Sequence, residues 1–324
     1  MARTALKIAL WGVGIVAAGV LALIVTILVR WDRTFEAPYP GIQATTDSAV
    51  IARGRYLVYG PAHCAGCHVS PEDTAALHAG GEPPLAGGFT FDIPPGRFPV
   101  PNLTPDSVFG IGRRSDGEVA RLLRHGVRAD GRAAVPFMTA QNASAEDLVA
   151  LISFLRAQAP VRHEVRDRQP SFLGKAVLAF VIKPVGPRGT PPATAPTGAT
   201  VERGEYLANG IAACVGCHTA RSMATGEYIG PPFAGGTPEP VPGDPSRELA
   251  APNLTPDSAT GRITAWSEDA FVARFRAGRL IPESYMPWVF FARMTDDDLR
   301  AIYRYLRSLP PVHNETGPSI RPAP

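Results

Sequence analysis

Residues 8–29, IALWGVGIVAAGVLALIVTILV, form an uncharged run of 22. Coiled as a helix at about 1.5 Å per residue, such a run matches the roughly 30 Å hydrocarbon core of a bilayer. It is predicted to cross a membrane. A cleaved secretory leader is the competing reading, but leaders carry a shorter apolar stretch and end at a small-residue site, and neither feature is present. Arg3, Lys7 and the amino terminus precede the run, whereas Arg30, Asp32, Arg33 and Glu36 after it nearly cancel. The amino terminus is therefore expected in the cytoplasm, and everything beyond Arg30 on the periplasmic or extracytoplasmic side of that inner membrane. A second apolar stretch, residues 172–182 (FLGKAVLAFVI), contains Lys175 and is too short to span. It is expected as a helix docked against the folded body, with contact at the membrane surface as the alternative.

Elsewhere the apolar positions recur with helical spacing. Leu148, Leu151, Ile152 and Leu155 form one such stripe, and Leu299, Ile302, Tyr303 and Leu306 another. Ser144 and Thr295 suit the N-caps of these helices, with Glu146, Asp147 and Asp296 to Asp298 in the first turns, where carboxylates favour the positive end of the helix dipole. Pro160 and Pro310 lie beyond the far ends, where the helical ladder cannot continue. Shorter helices are predicted at 48–59, 115–125, 201–208 and 267–277. No run alternates clearly enough to read as sheet.

The pattern repeats. Residues 53–68 (RGRYLVYGPAHCAGCH) and 203–218 (RGEYLANGIAACVGCH) agree at 10 of 16 positions with an offset of 150. PNLTPDS recurs unchanged at 101 and 252, and residues 144–161 align with 295–312, both with an offset of 151. Two homologous domains in series are expected. Between them, residues 184–198 (PVGPRGTPPATAPTG) hold five prolines, which suits an extended, semi-rigid spacer.

Composition adds two constraints. Gly 32 and Pro 34 together make about a fifth of the 324 residues, against roughly 12% in average usage, so ordered loops must be extensive. Lys plus Arg at 32 against 29 for Asp plus Glu leaves a net charge of +3, with no sign of the basic stripe of a nucleic-acid binder.

All four cysteines fall in two C-x-x-C-H motifs, Cys64 to His68 and Cys214 to His218. This is the attachment signature of c-type haem: two thiols on one turn bond the porphyrin, and the adjoining histidine reaches the iron. A zinc site would place its C-x-x-C pairs about 15 to 20 residues apart, not 146. A redox dithiol would sit beside a βαβ pattern, and disulfides leave the repeated histidine unexplained. Two covalent haems c are therefore expected, on Cys64, Cys67, Cys214 and Cys217, with His68 and His218 on iron. A methionine sulfur opposite histidine closes the iron and raises its potential. Met286, 68 residues after His218 and beside Pro287, is the expected sixth ligand of the second haem. Met223 lies too close to His218, and packing explains Met294. In the first domain Met138, 70 residues after His68, is the expected ligand, although alignment on the last helix leaves it three residues out of register and requires a shifted loop. His78 is the alternative there. His63 is badly placed, His125 reads as a helix boundary, and His163 and His313 are expected to be solvated.

C-x-x-C-H, a PNLTPD loop, a downstream methionine beside proline and a closing amphipathic helix together resemble membrane-anchored dihaem cytochromes c. They are also similar to the haem-bearing subunits of periplasmic alcohol, aldehyde and sugar-acid dehydrogenases. The resemblance implies an all-α fold: a membrane anchor (1–36), a class I cytochrome c domain with long ordered loops (45–162), a linker with a short helix and Pro-rich spacer (163–199), and a second such domain (200–313). It implies that the first and last helices of each domain cross closely, at Gly54 and Tyr56 and at Gly204 and Tyr206. It implies that Asn102, Thr104, Asn253 and Thr255 line the haem edges, with simple turn formation as the alternative. Trp266 would stand near a haem propionate, and its counterpart Arg114 would pair with one or remain a surface arginine.

The implied function is one-electron transfer on the outer membrane face, with no substrate transformed. Expected partners are a donor dehydrogenase or quinol-oxidising complex and an acceptor oxidase or soluble cytochrome. The alternatives are an obligate subunit of a larger complex, or a dihaem enzyme such as a peroxidase. The enzyme reading needs an open iron or a further cysteine ligand, and the two attachment motifs use all four cysteines.

Overall fold

The computed structural model describes residues 2–222 and 226–323. Helix α1 (Ala2–Arg30) is long and apolar enough to cross a membrane, and its surface is almost wholly unburied. The chain then builds a similar series of elements twice. The first set comprises α2 (Ser48–Tyr59), the short attachment helix α3 (Ala65–His68), α4 (Thr74–His78), a hairpin of β1 (Thr90–Ile93) and β2 (Gly96–Pro99), α5 (Asp116–His125) and α6 (Ala145–Ala157). Strand β3 (Gln169–Pro170) and α7 (Phe172–Phe180) follow. The second set comprises α8 (Val201–Tyr206), which continues as a π turn over Leu207–Ile211, α9 (Cys214–His218), β4 (Glu239–Val241), β5 (Asp244–Leu249), α10 (Glu268–Arg276), α11 (Trp288–Phe291), α12 (Asp296–Ser308) and β6 (Ile320–Pro322).

The local chemistry explains these boundaries. Asp47 accepts hydrogen bonds from the Ala49 and Val50 amides at the start of α2. Ser115 and Glu118 form a reciprocal capping box on α5, which ends at Gly126 in the left-handed region. Ser144 and Thr295 cap α6 and α12 through Asp147 N and Asp298 N, as their positions predict. The first amides of α6 are further satisfied from the Pro-rich spacer: Ala145 N donates to Pro192 O and Glu146 N to Ala193 O, both at 3.0 Å.

The all-α expectation is corrected in one respect. Two small antiparallel sheets are present, ordered β1-β2-β3 and β4-β5-β6. Their strands run two to six residues, all but β1 include Pro or Gly, and each sheet takes its third member from 169–170 or 320–322, beyond the closing helices. Strands this short show no usable alternation, so the pattern hides them.

Both sets turn on one crossing. A Cβ on Gly54 would lie 1.9 Å from Ala150 O, and one on Gly204 would lie 2.0 Å from Ala301 O. The backbones of α2 and α6, and of α8 and α12, therefore touch directly. The apolar stripes of α6 and α12 are buried beneath, apart from the half-buried Tyr303, and the cores of both halves merge into one cluster.

Tyr56 and Tyr206 depart from expectation, because each leaves its own half. Tyr56 Oη donates to Asp298 Oδ2 at 2.6 Å and accepts from Thr295 N. Tyr206 Oη donates to Asp147 Oδ2 at 2.7 Å and accepts from Ser144 N. Each aspartate is also held by an arginine of its own half, Arg53 to Asp147 and Arg203 to Asp298, through two hydrogen bonds each. The two halves thus meet through an approximately two-fold, reciprocal contact.

Adding a methyl group at the crossing should force the helices apart. Gly54→Ala and Gly204→Ala are each expected to cost about 1–3 kcal/mol, read as a lower midpoint of thermal unfolding. Gly41→Ala, with open space around it, should leave the midpoint unchanged. The clamp also predicts acid sensitivity. Burial raises the Asp298 pKa, but the hydrogen bonds and charge of Arg203, with the Tyr56 hydroxyl, outweigh it and hold the carboxyl below its ordinary value. Its contribution is therefore complete above the unfolded pKa near ~3.9 and is lost as pH falls through the lower folded value. Denaturant unfolding at stepped pH should show Asp298→Asn less stable than wild type at neutrality and losing less stability below about pH 4.

Candidate haem attachment sites

Each attachment motif occupies a single helical turn. His68 N bonds to Cys64 O at 3.0 Å, so both sulfurs and the imidazole leave the backbone within one turn. The residue ahead of each motif, His63 or Ala213, adopts a left-handed conformation with φ of 41° or 49°, which turns the chain into the short helix.

The imidazoles are oriented by backbone. His68 Nδ1 lies 2.9 Å from Pro101 O, and His218 Nδ1 lies 2.9 Å from Pro252 O. A carbonyl only accepts, so Nδ1 carries the proton and Nε2 keeps its lone pair. Burial pushes the His68 pKa down to about 4, against the opposing effect of the Pro101 bond, and lowers that of His218 likewise. Both rings are therefore neutral at pH 7, the form in which histidine binds a metal.

Those prolines are held by the residues after them. Asn102 Oδ1 accepts from Thr104 N at 2.9 Å and Thr104 Oγ1 at 2.7 Å, while its Nδ2 donates to Val161 O at 2.8 Å. Val161 N returns a bond to Thr104 Oγ1 at 3.1 Å. Asn253, Thr255 and Val312 repeat every one of these contacts. All four Asn and Thr side chains are buried, and their polar groups tie the loop to the chain leaving α6 or α12.

A second strap was missed in the sequence. Gly87 N donates to His68 O at 2.7 Å and Gly235 N to His218 O at 2.9 Å. A Cβ on Gly87 would strike the Val100–Pro101 backbone at 2.6 Å, so the strap threads between histidine and proline. The repeated PLAGG at 84–88 and PFAGG at 232–236 carry that signal. His163, expected to be solvated, is half-buried instead, with Nδ1 3.1 Å from Ala86 O; Asn314 meets Ala234 O in the same way. His313 is exposed, as is His78 at the end of α4.

Met138 and Met286 are both half-buried and stand two residues ahead of equivalent turns, Ala140–Asn142 and α11. The three-residue misalignment is absorbed after them: Ser144 follows Met138 by six residues and Thr295 follows Met286 by nine. Met294 is buried in the core, and Met223 lies outside the described residues. Arg114 and Trp266 each immediately precede a capping serine. Arg114 lies 3.8 Å from Glu118, and Trp266 packs half-buried against Phe271.

The turns after the two methionines reach across the contact between halves. His63 packs edge-on against Phe291, and Gly66 lies beside the Phe290 ring. Thr139 Oγ1 donates to Ile211 O, just ahead of Cys214. Both attachment turns therefore border the same seam.

The donor set fits covalent haem and suits neither rival. Burial pushes the Cys64 and Cys214 thiols up to about 12 and raises Cys67 and Cys217 as well. A redox dithiol needs the opposite shift. Among the described residues no group of three or more His, Cys, Asp or Glu is arranged to hold a bare metal ion.

Comparison with known proteins agrees. Residues 201–310 match the cytochrome c family. The chain is 32% identical over 296 residues to the cytochrome c subunit of alcohol dehydrogenase (quinone) from Gluconacetobacter polyoxogenes, covering 84% of this chain and 58% of that protein. It is 29% identical over 287 residues to the cytochrome c subunit of gluconate 2-dehydrogenase from Pantoea cypripedii, covering 81% and 60%. A dihaem c-type cytochrome from Cereibacter sphaeroides is 27% identical over 259 residues, covering 77% and 82%. Residues 201–310 thus match a cytochrome c domain, and the chain spans about three-fifths of these alcohol and gluconate dehydrogenase subunits.

Removing the amide that anchors the proline loop should be costly. Asn102→Ala strips the donor from Val161 O and the acceptor from Thr104, and about 1–3 kcal/mol of stability should be lost for each buried group left unsatisfied. Guanidinium unfolding followed by circular dichroism should show equal losses for Asn102→Ala and Asn253→Ala. A variant as stable as wild type would mean the loop stands without it.

Proposed function

We propose that this protein is a dihaem cytochrome c, an electron carrier anchored in the membrane by α1, that relays single electrons between a dehydrogenase or quinol-oxidising donor and an oxidase or cytochrome acceptor. The observation that carries this reading is the pair of equivalent attachment turns on one seam. Each holds a neutral histidine by a proline carbonyl. The names of the related subunits, which belong to alcohol and gluconate dehydrogenases, point to a dehydrogenase as donor and to service within a membrane complex.

In this reading Cys64 and Cys67 hold the first haem and Cys214 and Cys217 the second, with His68 and Met138, and His218 and Met286, on the two irons. When bound, each haem supplies one-electron exchange at iron. The chain does the rest. The proline carbonyls keep each imidazole in one tautomer and strengthen it as a donor. Thioether sulfur from Met138 and Met286 would favour the reduced state of each iron and would leave it no open position for a substrate, which is the reading of a carrier and not of a catalyst. The Tyr–Asp contacts tie the two halves, and with them the two attachment turns, to one another. Asn102, Thr104, Asn253 and Thr255 serve the haem edge by holding its loop, and Trp266 and Arg114 give the two edges different polarity. Encounters with redox partners of this kind bury little surface, below about 1,200 Å².

Intact mass of the purified protein should exceed the polypeptide by two haems. In an optically monitored redox titration, Met138→Ala and Met286→Ala should each remove part of the weak far-red band of the oxidised protein and lower one of two potentials. A variant with unchanged spectrum and potentials removes that methionine from the ligand set.

A further inference from the structure

We infer that α7 is a second membrane-seated element: an in-plane helix whose outer face beds into the boundary between headgroups and acyl chains beside α1. This rests on the reading that α1 remains on the mature protein as its span.

The helix reads FLGKAVLAF, with Lys175 its one charge. Its inner side is committed to the folded body. Gly174, Leu178 and Ala179 are buried, and a Cβ on Gly174 would lie 1.8 Å from Pro95 O in the β1–β2 turn. Its outer side is just as apolar and uncovered: Phe172, Leu173, Phe180 and Val181 are 45–54% exposed. A helix that is apolar all round belongs inside something, and a contiguous exposed patch of this kind marks a contact surface.

The position of α7 identifies the occupant. It packs against the last turns of α1, where Ile27 is only 4% exposed and Ile24 is partly covered. At about 1.5 Å per residue these two lie roughly 4 to 9 Å below Arg30, the depth at which an interfacial helix rests. The joint is also fixed. Asp32 is paired with Arg132 at 3.0 Å and Arg168 at 3.3 Å, and Phe35 N bonds to Gly131 O. With α1 locked to the body in this way, a bilayer that receives α1 necessarily meets α7. Lys175 Nζ sits 5.2 Å from the centre of the Trp31 ring, and Arg33 donates to Ile182 O at 3.4 Å. Exposed Arg30 and Lys183 add charge at the same level. Tryptophan and cationic side chains are the residues that favour the headgroup layer.

The full-length holoprotein, reconstituted in vesicles of phosphatidylcholine and phosphatidylglycerol carrying a diazirine-tailed lipid, tests this directly. After irradiation, mass spectrometry should find lipid adducts on 172–181 as well as on α1. In Leu173→Asp/Phe180→Asp the adducts at 172–181 should fall at least several-fold while those on α1 persist, with an unchanged visible spectrum as the control for folding. Adducts confined to α1 would overturn the inference and assign the face to a protein partner, with the anchor intact. No adducts anywhere, with a mass lacking the first residues, would remove the anchor and this inference together.

Discussion

The structure depends on two places where helix backbones touch with no side chain between them. At Gly54 against Ala150, and again at Gly204 against Ala301, there is no room for a methyl group. That closeness brings Arg53 onto Asp147 and Arg203 onto Asp298. It also starts the attachment turns at a fixed distance from the closing helices, whose exits hold the proline loops. A wider crossing would move histidine and proline carbonyl relative to one another, and a hydrogen bond of 2.9 Å tolerates little of that.

The same aspartates that steady each half also join the halves. Asp147 and Asp298 sit near the starts of α6 and α12, where the helix dipole favours a carboxylate, and each accepts from an arginine of its own half and a tyrosine of the other. Buried charge is costly unless every lone pair is used, and here charged and neutral donors share the work. Duplication of one sequence with this reciprocal contact explains why both attachment turns border the same seam.

At the opposite end, the exit of α1 is secured by ion pairs and not by a loose tether. Asp32 gathers Arg132 and Arg168, and the apolar helix after β3 lies alongside. The first half is therefore held at a set height above the end of α1, while the second follows through the spacer that also caps α6.

Much was legible in the sequence because it depends on neighbours along the chain. Capping residues, apolar stripes, the 22-residue apolar run, the C-x-x-C-H turns and the duplication act within a few residues or repeat at a fixed offset. The sheets were not legible, since strands of two to six residues leave no alternation to read. Nor was the partner of Tyr56, because a tyrosine two residues after Gly54 already has a local explanation at the crossing. Asn102 and Thr104 read equally as turn formers or as lining of a haem edge, and only the closeness of Val161 revealed what their polar groups hold. Hydrogen bonds depend on separation in space, so the sequence determined which groups are available, and the tertiary structure alone decided which of them meet.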